Sequence, residues 1–283
     1  MQHQALPTPI RLLRDSAALR SAAYLSAMVG VVLIVSKLPY DPEDPFEANG
    51  HPLVFPGVVG LTNLFTWLRL EDRAGWDRPP TRGELADFAR GLALGTAACG
   101  GMLGVAAAKG WVTVPAWGWA ETHSPTTVIA STALIAAQEC TLVFDEEMVF
   151  RGYGLDTLRE ALGLPGALAL STALFARYHG PGRKRFLGLS AAGLLLALLR
   201  LRTSNLWLVT GFHLAWNLMQ KAVFGPLDGA PSLRPLHLHG PAAWVGRLGY
   251  PEPGWLQILW TLGMAAAAGA ELWRSRSQVD PQP

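Results

Sequence analysis

About eight stretches of this chain are apolar over a length that crosses, or nearly crosses, a lipid bilayer at roughly 1.5 Å of rise per residue. They run approximately Ala22–Leu38, Leu53–Leu70, Phe88–Ala108, Thr126–Arg151, Gly166–Tyr178, Phe186–Leu199, Leu206–Phe224 and Trp255–Leu272. Backbone N–H and C=O groups in lipid must be satisfied inside the protein, and a helix does this within one segment. The expected fold is therefore all-α, a polytopic transmembrane helix bundle of about eight spans forming a single membrane domain over residues 1–283. The fifth and sixth segments are short for free-standing spans and suit a bundle, where neighbours shield their ends. The first lacks a small-residue cleavage site and reads as a retained span.

Charge supports the same reading. Only 16% of residues are charged, where a soluble domain carries about 25%. Trp67, Trp111, Trp117, Trp119 and Trp255 stand at the ends of apolar runs, as interfacial aromatic belts do. A net charge of +2, with no basic stripe interleaved with aromatics, excludes a nucleic-acid partner. Arg11, Arg14 and Arg20 precede the first segment, Arg69, Arg73, Arg78 and Arg82 follow the second, and Arg274 and Arg276 follow the last. The intervening Asp41, Glu43, Asp44 and Glu47 are acidic. This distribution predicts that both termini are cytoplasmic, with Arg183, Lys184 and Arg185 as the dissenting loop. Cys99 and Cys140 lie in apolar runs without a Cys-x-x-Cys pair, so they read as small buried residues. In the third segment Gly91/Gly95 and Gly100/Gly104 have the small-x-x-x-small spacing of closely packed membrane helices.

Ionisable groups in such helices are costly, and a functional role is the first reading. The stretch "VFDEEMVFRGYG", Val143 to Gly154, concentrates them. Glu147 and Arg151 are four apart with the acid first, the favoured order for an intrahelical pair. Glu146 points about 100° away from that pair and is the carboxylate open to chemistry; in a dry pocket it would act as a general base. The plainer reading is that the segment leaves the membrane here and its acids are solvated. Phe175 and His179 in "FARYH" share a helix face, as do His213 and Asn217 in "HLAWN". A span-end histidine is commonly an interfacial hydrogen-bonding group, and a His/Asn pair can serve as an interhelical clamp. The same pair can also donate two hydrogen bonds to one developing oxyanion. A turn is expected at "GLPG", Gly163 to Gly166, and Glu146 and His179 lie at nearly equal sequence distances from it. A straight hairpin would bring them to one depth, with the helix of Glu146 continuing past Arg151 towards Leu162.

The three motifs in this order, E-E-x-x-x-R, F-x-x-x-H and H-x-x-x-N, resemble the signature of the CAAX protease and bacteriocin-processing (CPBP) membrane proteins, which include the type II CAAX prenyl endopeptidases. The resemblance covers roughly Thr126 to Phe224, a CPBP-like catalytic core at 126–224, about a third of the chain. It implies an intramembrane endopeptidase in which Glu146 activates water, His179 and His213 assist it or hold a metal, and His213 with Asn217 bind the oxyanion. Glu147 and Arg151 would give structural and electrostatic support. Glu146, His179 and His213 could ligate zinc in the His₂Glu manner, and the same groups suit water activation without a metal. The implied partners are the lipid bilayer and a peptide or protein substrate, prenylated or membrane-embedded; the implied location is a bacterial cell membrane. A non-enzymatic immunity, scaffold or maturation factor of the same fold is the alternative. A small proton-coupled transporter is another, although the inverted repeat common in such folds is not seen.

Overall fold

A computed structural model describes residues 8–35, 37–38, 54–69, 80–114, 124–180, 182–203, 205–223, 236–246 and 254–279. The acidic loop of Asp41 to Glu47, Arg73, Arg78, Trp117 and Trp119 lie outside the described residues. The described chain is helical apart from one short antiparallel ribbon, and each of the eight apolar segments falls on helix. Among the described residues, three helical runs are long and apolar enough to cross a membrane: Ala17–Val35, Arg82–Ala108 and Pro125–Tyr178. Of the other segments, some form helices that are short, such as Trp207–Leu218, or open on basic residues, such as Arg183–Arg200, while the last forms the 25-residue helix Trp255–Val279.

The chain divides into two compact units. The first comprises residues up to Thr81 together with Phe144–Ser171. It contains α1 (Thr8–Asp15), α2 (Ala17–Val35), α3 (Val54–Arg69), the end of α5 (Pro125–Glu147), a π-helical turn (Met148–Tyr153) and most of α6 (Gly154–Tyr178). Val29, Leu33 and Ile34 on α2 are exposed, which suits an apolar solvent. Arg20 is not a solvated topological charge. It is 2% exposed, donates to the Leu13 carbonyl at the end of α1, and pairs with Glu160 Oε2 at 2.8 Å. A carbonyl left without a helical partner at that terminus thereby finds a donor. Tyr24 donates to Thr62 Oγ1 at 2.9 Å, because the Thr62 hydroxyl spends its own proton on Val58 O. The Tyr24 ring packs against Phe65 and Tyr153.

The second unit comprises Arg82–Val143 and the residues from Thr172 onward. It contains α4 (Arg82–Ala108), β1 (Val112–Thr113), most of α5, the end of α6, α7 (Arg183–Arg200), α8 (Trp207–Leu218), a second π-helical turn (Met219–Val223), β2 (His237–Leu238), α9 (Ala242–Val245) and α10 (Trp255–Val279). The strands pair Val112 with Leu238 and Thr113 with His237.

The closest helix packing here is α4 on α8. An added Cβ would stand 2.1 Å from Leu208 O at Gly91, 2.4 Å from Phe212 O at Gly95 and 2.2 Å from Phe88 O at Gly211. The Gly91/Gly95 half of the small-residue expectation therefore holds. Gly100 and Gly104 meet nothing within 4 Å; Gly101 faces the Trp260 ring instead. Trp260 Nε1 donates to Ala98 O at 2.9 Å, tying α10 to α4. Leu208, Gly211, Phe212 and Ala215 thus turn one side of α8 to α4. At about 100° per residue this directs His213 and Asn217 to the opposite side. Cys99 is buried, as expected, but Cys140 is exposed on α5.

Gly91→Ala should lower the thermal unfolding temperature in detergent by several degrees, since overpacking costs about 1–3 kcal/mol. Gly100→Ala should leave it level or slightly raised, because helix propensity favours alanine where no clash follows.

Candidate active site

The acids of the first motif end α5. Asp145, Glu146 and Glu147 are all buried, at 6%, 7% and 0% exposure. Arg151 Nη1 donates to Glu147 Oε1 at 3.2 Å, and both side chains are wholly out of solvent. The intrahelical pair expected from spacing is therefore present. The solvated reading of this stretch is not, because a charged group 0% exposed is not hydrated.

The straight helix expected from Glu146 to Leu162 is interrupted. The backbone widens into the π-helical turn at Met148 and leaves helical conformation at Gly152 (φ −84°, ψ −118°) before resuming as α6. Local causes are visible. A Cβ on Gly154 would lie 2.0 Å from Val149 O, so the absence of a side chain lets that carbonyl close on the turn. Ser171 Oγ donates to Phe150 O at 2.7 Å, giving a carbonyl in the wide turn a partner. The Tyr153 ring lies 4.6 Å from Tyr24 and 6.0 Å from Phe65 between ring centres. Single π turns of this kind recur at functional sites. The turn expected at "GLPG" is present, with Gly163 at φ +69°, a conformation that glycine enters at little cost.

The second unit holds the two other motifs. His179 Nδ1 is 2.8 Å from Phe175 O. A carbonyl only accepts, so this contact makes Nδ1 the protonated nitrogen and leaves the lone pair of the neutral ring on Nε2. Arg185 Nη1 donates to His179 O at 3.1 Å, so part of the dissenting basic loop secures the histidine backbone. The Phe175 ring lies 4.5 Å from the His179 ring and 6.1 Å from the His213 ring, centre to centre. One phenyl ring thus packs against both motif histidines. His213 is buried, and Asn217 stands one turn further along α8 at intermediate exposure.

Two residues of this cluster escaped sequence reasoning. Glu139 lies inside the "apolar" run before the first motif and is 0% exposed. Its Oε2 accepts from Asn217 Nδ2 at 3.0 Å, and its Oε1 is engaged by the Lys221 ammonium. The signal was available: an acid within a membrane-length apolar helix, and a lysine four residues after Asn217. Among the described residues, no three His, Cys, Asp or Glu side chains are gathered so as to hold a metal.

Residues 127–219 match the family model described as Type II CAAX prenyl endopeptidase Rce1-like. The matched stretch runs from the start of α5 to the first residue of the second π-helical turn and contains all three motifs, Glu139 included. Searches of curated proteins and of solved structures find no match. The Rce1-like family is a protease family, which supports endopeptidase activity of the CAAX-protease type in general terms. Together with the apolar helices it also suggests an integral membrane protein.

Arg151→Met removes the guanidinium from a buried Glu147. It should cost about 3–5 kcal/mol of stability, read as a large fall in unfolding temperature in detergent. Glu147→Gln combined with Arg151→Met should recover much of that loss, since the remaining neutral groups carry no unpaired charge.

Proposed function

We propose that this chain is an intramembrane endopeptidase that hydrolyses a peptide bond with a water activated by Glu146. The observation that carries the reading is the family match, which spans the three motifs in order. The buried Glu147–Arg151 pair supports the division of labour. A carboxylate held by a guanidinium is a poor proton acceptor, and the base is assigned to Glu146 because it opens the acidic motif that the family match covers.

In this reading Glu146 takes a proton from water as the oxygen attacks the carbonyl carbon. The carbonyl π bond opens, and the charge on its oxygen is stabilised by N–H donors of His213 and Asn217. The C–N bond then breaks, and the amine leaves with the proton that Glu146 had taken. His179, its Nδ1 proton held by Phe175 O, offers Nε2 to the water. Glu147 and Arg151 hold the turn that carries Glu146. A zinc ion held by Glu146, His179 and His213 would supply a more acidic water, but among the described residues these three are not gathered to hold an ion, and the steps above do not pass through one. The substrate class that the family suggests is a peptide or protein, prenylated or embedded in the membrane.

Purified protein in detergent or nanodiscs should cleave a lipidated peptide carrying a C-terminal CAAX sequence. Glu146→Gln should reduce kcat by a factor of 10³ or more, in line with loss of a general base and the water it orients, with the unfolding temperature nearly unchanged. Full turnover by Glu146→Gln would sink the assignment. Exhaustive chelation separates the two versions. Activity that disappears and returns with zinc would make the reaction metal-dependent, and activity that persists would leave Glu146, His179 and His213 as proton-transfer groups.

A further inference from the structure

We propose that Glu139 is the positioning residue for the Asn217 amide, with Lys221 as its counter-ion; this rests on the endopeptidase reading above. Glu139 is wholly buried, and both of its oxygens are engaged, Oε2 by Asn217 Nδ2–H at 3.0 Å and Oε1 by Lys221 Nζ. A carboxylate with both oxygens held this way is not placed to take a proton from water. It acts on the reaction through the group it holds.

What it does to Asn217 follows from the chemistry of the amide. A side-chain amide can turn over by 180°, exchanging its NH₂ and its oxygen. A carboxylate in an ion pair presents only acceptors. It therefore accepts one arrangement, with NH₂ inward, and rejects the flipped one, which would set Oδ1 against a negatively charged oxygen. With one N–H spent on Glu139, the other is fixed in the amide plane about 120° away. The amide is then a preoriented donor, the property an oxyanion site needs, since reorientation during the reaction would cost part of the stabilisation. Asn217 is one α8 turn from His213, on the side of α8 directed away from α4.

Lys221 completes the arrangement. An unpaired buried carboxylate would be costly, and the ammonium, its side chain 32% exposed, offsets that cost while reaching towards solvent. The three groups come from α5, α8 and the turn that follows α8, so the pair also fixes Asn217 to a second helix.

The test measures turnover of the lipidated CAAX peptide and the side-chain amide signals of ¹⁵N-asparagine-labelled protein, with the Asn217 pair identified by its absence in Asn217→Ala. Glu139→Leu should lower kcat about 10²-fold with KM changed less than about threefold, the scale of a lost oxyanion donor. Asn217→Ala should lose a similar factor, and Glu139→Leu in the Asn217→Ala background should lose nothing further, because one residue acts through the other. Glu139→Gln, which keeps one acceptor but turns the other into a donor, should fall between the wild type and Glu139→Leu in turnover. The Asn217 amide protons should be widely separated in the wild type and collapse together in Glu139→Leu. Losses that multiply in the double variant, unchanged kcat in Glu139→Leu, or amide signals indifferent to Glu139 would each overturn the proposal while Glu146→Gln still marks the enzyme as a peptidase. Absence of peptide cleavage by the wild type would instead overturn the endopeptidase reading, and the catalytic role of Glu139 with it.

Discussion

Glu147 and Arg151 neutralise one another inside a helix turn that water does not reach, and the local structure around Glu146 is built on that pairing. In a low-dielectric interior an isolated charge is too costly to keep. Each charged group drawn into these helices needs an answering group at short range. Arg20 meets Glu160 and carbonyls at the end of α1, Glu139 meets Lys221 and Asn217, and Arg151 meets Glu147. These pairs do more than cancel charge. A pair between residues of different helices fixes a register that apolar contacts alone would leave free to slide.

The π-helical turn after Glu147 has a comparable logic. Widening a helix by one residue releases carbonyls from their usual partners and needs room for the extra backbone. The room comes from Gly154, whose missing side chain lets Val149 O approach. A hydroxyl partner comes from Ser171, on Phe150 O. The Tyr24, Phe65 and Tyr153 rings then hold the turn against α2 and α3. On α8 the equivalent ordering comes from glycine contacts on one side, which press the helix against α4 and commit the opposite side to His213 and Asn217.

Much of this was legible beforehand, for identifiable reasons. Hydropathy marks the longer helices, because membrane-length apolar runs have few other stable forms, but not the short α1 and α9, which lie outside the apolar segments. The Glu147–Arg151 pair was legible because both residues lie one turn apart on a single element, so no tertiary information is needed. The turn at Gly163 was legible from a glycine next but one to a proline. Glu139 was overlooked because its partners are 78 and 82 residues away, and a single acid in an apolar run carries no sign of what will face it. The break at Gly152 was missed because glycines at 152 and 154 permit a kink without requiring one; the aromatic packing of Tyr153 and the bond from Ser171 select it. Arg20 was counted as a surface charge because only packing reveals that it is buried.

The sequence by itself determined that the eight apolar segments are helical, which turn carries the three acids, and which side chains share a helix face, since all of these follow from the composition and periodicity of neighbouring residues. Only the tertiary structure decided the rest: that Glu139 and Lys221 secure Asn217, that Phe175 packs against both histidine rings, that Gly91 and Gly95 are packed while Gly100 and Gly104 are open, and that the helix of Glu146 widens. The physical reason is range. Helix periodicity and charge spacing act between near neighbours in sequence, whereas burial, close packing and the pairing of charges in a dry interior depend on which distant segments the fold brings into contact.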